Sequence, residues 1–337
     1  MKNMYEWVRN IIRDPERKAI PIMTHPGIES IGKTVKEAVT DGNVHYEAIK
    51  ILDDIYPAAA CTVIMDLTVE AEAFGAKVRL PQDEIPTVSE RLLHNEEEID
   101  HLNIPDLSKG RIPEYIKANK LAAENIDNVV FGGCIGPFSL AGRLYDMSEI
   151  MIACYCEPDA TKKLLSKCTS FLKKYCKALK EQGVQGIVIA EPAAGLLSPE
   201  GCEEFSSVFI KEIVDELQDE NFIFILHNCG NKGHCTAAML STGAKGYHFG
   251  NQMDMIQALE ECPGDVLVMG NLDPVGLFKN GSVSEMRSAC MELLEKTSNY
   301  PNFILSSGCD IPPHVPKENI ENFYAVLKEY NEKQSAR

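Results

Sequence analysis

A repeated alternation constrains this chain more than any other feature. Short β-branched runs recur at 20–24, 58–66, 128–136, 186–191, 222–229, 243–250, 266–271 and 303–309, each followed by a loop and a stretch with helical spacing. In the stretch 198–220, for instance, Ser198 is placed to cap a helix and Phe205, Val208, Ile213 and Leu217 recur at helical intervals. Strands that alternate with helices make parallel βαβ units. Eight units predict an α/β fold closed as a single (β/α)8 TIM barrel. The rival, a doubly wound open sheet, usually carries a glycine-rich turn after its first strand. Here that turn reads THPGIES, and neither G-x-G-x-x-G nor a P-loop occurs. No linker, low-complexity tract or internal repeat interrupts the pattern, so one domain over 1–337 is expected. Long loops are expected after the first strand (about thirty residues) and the second (67–127). In a barrel both lie on the rim that carries active sites, where they can form lids or substrate walls.

Charge narrows the partners. Lys and Arg number 33 against 50 Asp and Glu, a net charge of −17. Such a chain repels phosphate backbones and anionic lipid surfaces, so nucleic acid and membranes are poor partners. Apolar runs such as 187–190 and 223–226 are strand-sized, far short of the ~20 residues of a membrane span. The N-terminus has charges throughout and no apolar signal core, so a cytoplasmic location is expected. Twelve cysteines without a C-x-x-C then read as reduced thiols, most of them small buried apolar residues. Cys154 and Cys156 lie in a predicted helix, where positions two apart point to different sides.

Cys229 and Cys309 depart from that pattern. In the run FIFILHNCGN, residues two apart project the same way, which sends His227 and Cys229 together to the end of the fifth expected strand. The eighth strand ends FILSSGCDIPP, placing Cys309 at the same rim, with Gly308 before it and Pro312-Pro313 after it to set the turn. One imidazole and two thiols with a fourth position open make a catalytic rather than a structural zinc pattern. The bland alternative is two core cysteines and a hydrogen-bonded core histidine. His248 ends the sixth strand at the same rim, as a ligand or as a residue behind the ligands. His234 and Cys235 are expected to open the next helix, and His314 to lie on a surface loop. Asn271 and Asp273, which end a strand, are candidates for orienting substrate or cofactor.

The segments LHNCGN, GNLDP, GPFSLAGRLYD and GCDIPPHVPKENI together resemble the uroporphyrinogen decarboxylase superfamily, and within it the zinc methyltransferase branch of methylcobamide:coenzyme M methyltransferases. The resemblance implies a (β/α)8 barrel and zinc ligands at His227, Cys229 and Cys309. Asp66 matches an aspartate used by the decarboxylases, and here it could be inherited geometry, a hydrogen-bond acceptor or a substrate contact. Glu191 falls where the family commonly has an acid. It could fill the open zinc position, take a thiol proton, or cap a loop through backbone N–H groups. The decarboxylases hold substrate carboxylates with arginines near the first strand; this chain has Arg9, Arg13 and Arg17, then none until Arg79.

The implied activity is methyl transfer from a methylated corrinoid to a thiol such as coenzyme M. A free thiol has a pKa near ~8.5, and metal binding removes its proton. The sulfur then attacks the cobalt-bound methyl group. No corrinoid-binding D-x-H-x-x-G segment occurs, so the corrinoid is expected on a separate protein. A sulfonate-bearing thiol calls for a cationic contact, for which Arg79 and Arg143 are candidates. The alternatives are a uroporphyrinogen decarboxylase-type decarboxylase, a non-catalytic zinc or corrinoid carrier, and a thiol methyltransferase with a folate donor.

Overall fold

Seven of the eight expected runs become strands of one parallel sheet in a computed structural model that describes residues 2–336. The first is β1 (Ala60–Thr62); a separate antiparallel hairpin follows, β2 (Val78–Arg79) and β3 (Thr87–Val88). The chain then returns as β4 (Val129–Ile135), β5 (Gly186–Ala190), β6 (Ile223–Asn228), β7 (Gly246–Phe249), β8 (Leu267–Leu272) and β9 (Phe303–Ser307). Sheet order is β1-β4-β5-β6-β7-β8-β9, every neighbouring pair parallel. These strands are buried almost without interruption, as a parallel sheet covered on both faces requires.

The run at 20–24 departs from expectation: it is not a regular strand. Only Ala19 bridges to Leu305. Pro21 lacks an N–H and cannot extend a ladder. Side-chain hydroxyls take the place of some of the missing carbonyl partners. Ile22 N–H donates to Ser307 Oγ at 3.2 Å and Met23 N–H to Thr62 Oγ1 at 3.2 Å. Backbone bonds reach both sides as well, from Ile20 N–H to Leu305 O at 3.0 Å and from Ala59 N–H to Ala19 O at 2.9 Å. The segment thus spans the gap between β9 and β1, the two edges of the sheet, with irregular bonding.

Alternation along the strands sorts the core. One face gathers Ala60, Val129, Phe131, Val188, Ile223, Ile225, Leu267, Met269 and Ile304 with Ile20 and Ile22. The other face, including Phe224, Leu226, Val268 and Leu305, packs under the helices. The inner cluster is stoppered at the N-terminal end of the strands by the helix Met4–Arg13. Asn3 caps that helix, its buried side chains Met4, Val8 and Ile11 recur at helical spacing, and Trp7 lies 5.9 Å from the Phe131 ring. Truncating a residue such as Ile225 to Ala removes a filled position with nothing to replace it, a loss of about 2–5 kcal/mol.

The two long connections are structured. The first folds as helices His25–Ser30, Val35–Thr40 and Gly42–Ile55. The second carries helix Val69–Phe74, the β2–β3 hairpin and helix Glu96–His101, then returns through helix Ile112–Asn125. The stretch after Ser198 is helical as expected, with Ser198 accepting from Gly201 N–H and a wider π-helical turn over Glu203–Ser207.

Candidate metal centre

On β6 the inward column reads Ile223, Ile225, His227 and then Cys229, so its character changes from apolar to donor at the C-terminal end. Asn228 shapes the step beyond the strand: its side-chain carbonyl accepts from Gly230 N–H and Asn231 N–H, both at 3.0 Å, a turn that an Asx side chain readily makes. Two close approaches then demand glycine. A Cβ on Gly250 would lie 2.5 Å from Cys229 O, and one on Gly308 would lie 2.6 Å from Asn251 N. The loops carrying Cys229 and Cys309 can therefore nest against the loop after β7.

The result joins residues far apart in the chain. The donor atoms of His227, Cys229 and Cys309 all lie within 4.8 Å of one another. His227 is buried, whereas both cysteines are half-buried. Cys309 Sγ stands 3.5 Å from His227 Nε2. A tetrahedral ion bonded at about 2.3 Å to sulfur and about 2.0–2.1 Å to nitrogen would hold those two atoms about 3.6 Å apart. The spacing fits. The protonation chemistry fits too. The Cys229 thiol is lowered by the hydrogen bond from Cys309, against the opposing effect of burial. The same bond and burial raise the Cys309 thiol. The two shifts run in opposite directions, and a divalent cation bound between the thiols would favour the deprotonated form of both.

Behind the donors runs a chain of hydrogen bonds. His227 Nδ1 lies 2.8 Å from His248 Nδ1, and His248 Nε2 lies 2.8 Å from Ser306 Oγ, which donates to Ile20 O at 2.7 Å. Burial, with the neighbouring His227 adding to it, holds the His248 pKa well below the usual imidazole range. His248 therefore sits behind the donor cluster. Ser306 lies two residues beyond inward-facing Ile304, so strand alternation alone could have located it.

The remaining candidates are engaged elsewhere. Glu191 is outside the three-donor group: its oxygens accept from Phe138 N–H at 2.9 Å and Ser139 N–H at 2.6 Å, holding the start of helix Pro137–Tyr145. Burial lifts its pKa to about 7, against the lowering by those bonds. Asp66 is buried against Arg111, and also accepts from Tyr115 Oη at 3.0 Å, Thr68 Oγ1 at 2.6 Å and Thr68 N–H at 3.0 Å. Arg111 and Tyr115 gave no sequence signal, because their partner lies a whole insert away. The Asn271 amide donates to Gly250 O at 2.9 Å and Met253 O at 2.7 Å, tying down the loop after β7. Half-buried Asp273 caps the turn that follows it through Val275 N–H and Gly276 N–H. Cys235 is buried just before helix Thr236–Ser241, His234 is exposed, and exposed His314 sits beside Glu29. A buried carboxyl that sequence reasoning missed is Glu70: burial raises its pKa to about 8, one oxygen accepts from Ile135 N–H at 3.0 Å and the other has no partner.

Comparison with known proteins supplies an independent bearing. A family model described as uroporphyrinogen decarboxylase matches residues 15–330. The chain is 30% identical over 285 residues to a methylcobamide:CoM methyltransferase of Methanosarcina mazei, covering 80% of each sequence. It is 26% identical over 285 residues to a uroporphyrinogen decarboxylase of Carboxydothermus hydrogenoformans, covering 80% of this chain and 78% of that one. A solved methyltransferase from Methanosarcina mazei superposes with a TM-score of 0.86 at 22% identity, over 96% of this chain and 97% of that one.

Proposed function

The chain belongs to the uroporphyrinogen decarboxylase family, and from that premise we propose that it is a zinc-dependent methyltransferase carrying a methyl group from a methylated corrinoid, borne by a separate protein, to a thiol such as coenzyme M. The observation that carries this reading is the meeting of His227, Cys229 and Cys309 at one rim. Relatives whose names describe methylcobamide:CoM methyltransferases support it. Zinc bound there would keep a substrate thiol deprotonated at neutral pH.

The chain's own residues supply the rest. His227 offers Nε2 to the site and anchors Nδ1 on His248. With His227 Nδ1–H as donor, His248 accepts at Nδ1 and donates from Nε2 to Ser306 Oγ. Both tautomers are then fixed by one continuous chain ending on Ile20 O. Glu191 and Asp66 are positioning residues in this reading, Glu191 for the rim helix Pro137–Tyr145 and Asp66 for the Arg111 segment. Asn271 and Asp273 shape the loops against which substrate rests. Residues 18–24 complete the ring as its eighth stave, in a single domain working in the cytoplasm.

The test is demethylation of methylcobalamin followed spectroscopically with a panel of thiols, alongside elemental analysis. We expect roughly one zinc per chain and thiol-dependent demethylation that a chelator abolishes. Zinc-independent decarboxylation of a porphyrinogen, or failure with every thiol, overturns the reading.

A further inference from the structure

We propose that Arg143 anchors the anionic end of the acceptor and so sets the preference for an anionic over a neutral thiol; the inference rests on the methyl-transfer reading above. Arg143 lies in helix Pro137–Tyr145, which starts where β4 ends, at the rim that carries Cys229 and Cys309. Among the described residues it is the half-buried arginine that has no carboxylate, carbonyl or hydroxyl partner. Arg17 is held by the carbonyls of Thr297, Ser298 and Tyr300, Arg91 by Glu149, Arg111 by Asp66 and Glu72, and Arg287 by Glu329. Arg79 is exposed on the β2–β3 hairpin beside Glu84 and needs nothing further.

The carboxylate whose charge acts on Arg143 is already engaged. Asp66 is the carboxylate that acts on its guanidinium, but both Asp66 oxygens are already occupied by Arg111, Tyr115 and Thr68. Burial accordingly disfavours the charged form of Arg143. A partly desolvated cation with five N–H donors and no acceptor is costly in the resting protein. It persists in a chain of net charge −17, where carboxylates to neutralise it are plentiful. An anion supplied from outside resolves the cost, and the planar guanidinium suits a carboxylate or sulfonate bound through two oxygens. Sheet order fixes the direction. The metal donors stand over β6 and β9, whereas Arg143 follows β4, next to β1. The two groups thus flank one mouth from different strands, the arrangement that an acceptor with sulfur at one end and an anion at the other would need.

The experiment uses the zinc-loaded full chain as wild type, Arg143→Gln and Arg143→Lys. The probes are 2-mercaptoethanesulfonate, 3-mercaptopropionate and neutral 2-mercaptoethanol, with methylcobalamin as donor. Calorimetric binding of ethanesulfonate, which has no thiol, is read separately. Loss of a charge-assisted contact should raise KM for an anionic thiol relative to the neutral one by about 30- to 100-fold in Arg143→Gln. Arg143→Lys should recover part of that selectivity, and ethanesulfonate binding should weaken in step. Equal slowing of anionic and neutral thiols, or unaltered ethanesulfonate binding in Arg143→Gln, overturns the proposal. If wild type demethylates methylcobalamin with none of the thiols, the methyl-transfer reading fails, while the calorimetric arm still decides the anion site.

Discussion

The two halves of the rim handle polar side chains in opposite ways. Around β6 to β9, His227, Cys229 and Cys309 turn their donor atoms toward one another, and His248 and Ser306 stand behind them in matched hydrogen bonds. Around β1 to β5, the acids Asp66, Glu70 and Glu191 turn into the packing, where an arginine, backbone amides or a retained proton deals with each. The His/Cys/Cys group therefore forms on the half of the rim opposite these three buried acids. A carboxylate at the end of a strand says little about chemistry until its partners are known; a buried histidine beside two half-exposed thiols says much more.

The sharpest way to break this contrast is to remove a donor. Cys229→Ala or Cys309→Ala should abolish stoichiometric zinc and cut methyl transfer by at least about a thousandfold, with the circular dichroism spectrum kept. Elemental analysis decides: metal that survives both changes means the ligand set is wrong. On the opposite half, Asp66→Asn leaves Arg111 with Glu72 as its one carboxylate partner and should lower stability by about 1–3 kcal/mol in urea unfolding. Zinc content should hold. Metal loss from a variant of native stability would move Asp66 to the chemical half.

Glu70 gives a pH signature. Its folded pKa, about 8, lies above the ordinary carboxyl value of 4.5. Below that ordinary value both states are protonated and the group contributes nothing. As pH rises from there to about 8, the unfolded chain releases a proton that the folded chain keeps. Stability should therefore fall by up to ~1.4 kcal/mol per pH unit and level off above the folded pKa. Glu70→Gln should remove that share of the slope in unfolding curves measured across the window, leaving below about pH 7 the share that Glu191 contributes; an unchanged slope would assign it to another group. The smallest effect concerns the second row. His248→Gln should weaken metal binding by about 10- to 100-fold in a chelator competition without removing the site. Unaltered affinity would show that His227 needs no support from behind.

Legibility followed the same divide. His227 and Cys229 could be read because strand alternation is local, and Cys309 because a glycine and two prolines bracket it. Asp66 and Glu191 fall at strand ends, and hydrogen-bond acceptance and capping of backbone N–H groups are among the readings the sequence allows, yet it does not show their partners. Each is decided by a partner across the fold: Arg111 from the second insert, and the amides of Phe138 and Ser139 beyond the neighbouring strand. A packing clue to the second does exist, since a Cβ on Gly136 would fall 2.4 Å from Glu191 Oε2. The run 20–24 looked like a strand because its side chains suit one; they do fill the inner core, but Pro21 denies the backbone a regular ladder. The long inserts were legible in length only, because their short helices carry weak periodic signals.

The helix Met4–Arg13 has a consequence for traffic. Its plug of Met4, Val8 and Ile11 closes the far end of the inner column, so in the proposed reaction acceptor and methyl carrier would use the same doorway. A bulky carrier seated there would bar the small molecule behind it. Turnover should then obey a compulsory sequence, with the acceptor admitted first and its methylated product waiting for the carrier to depart.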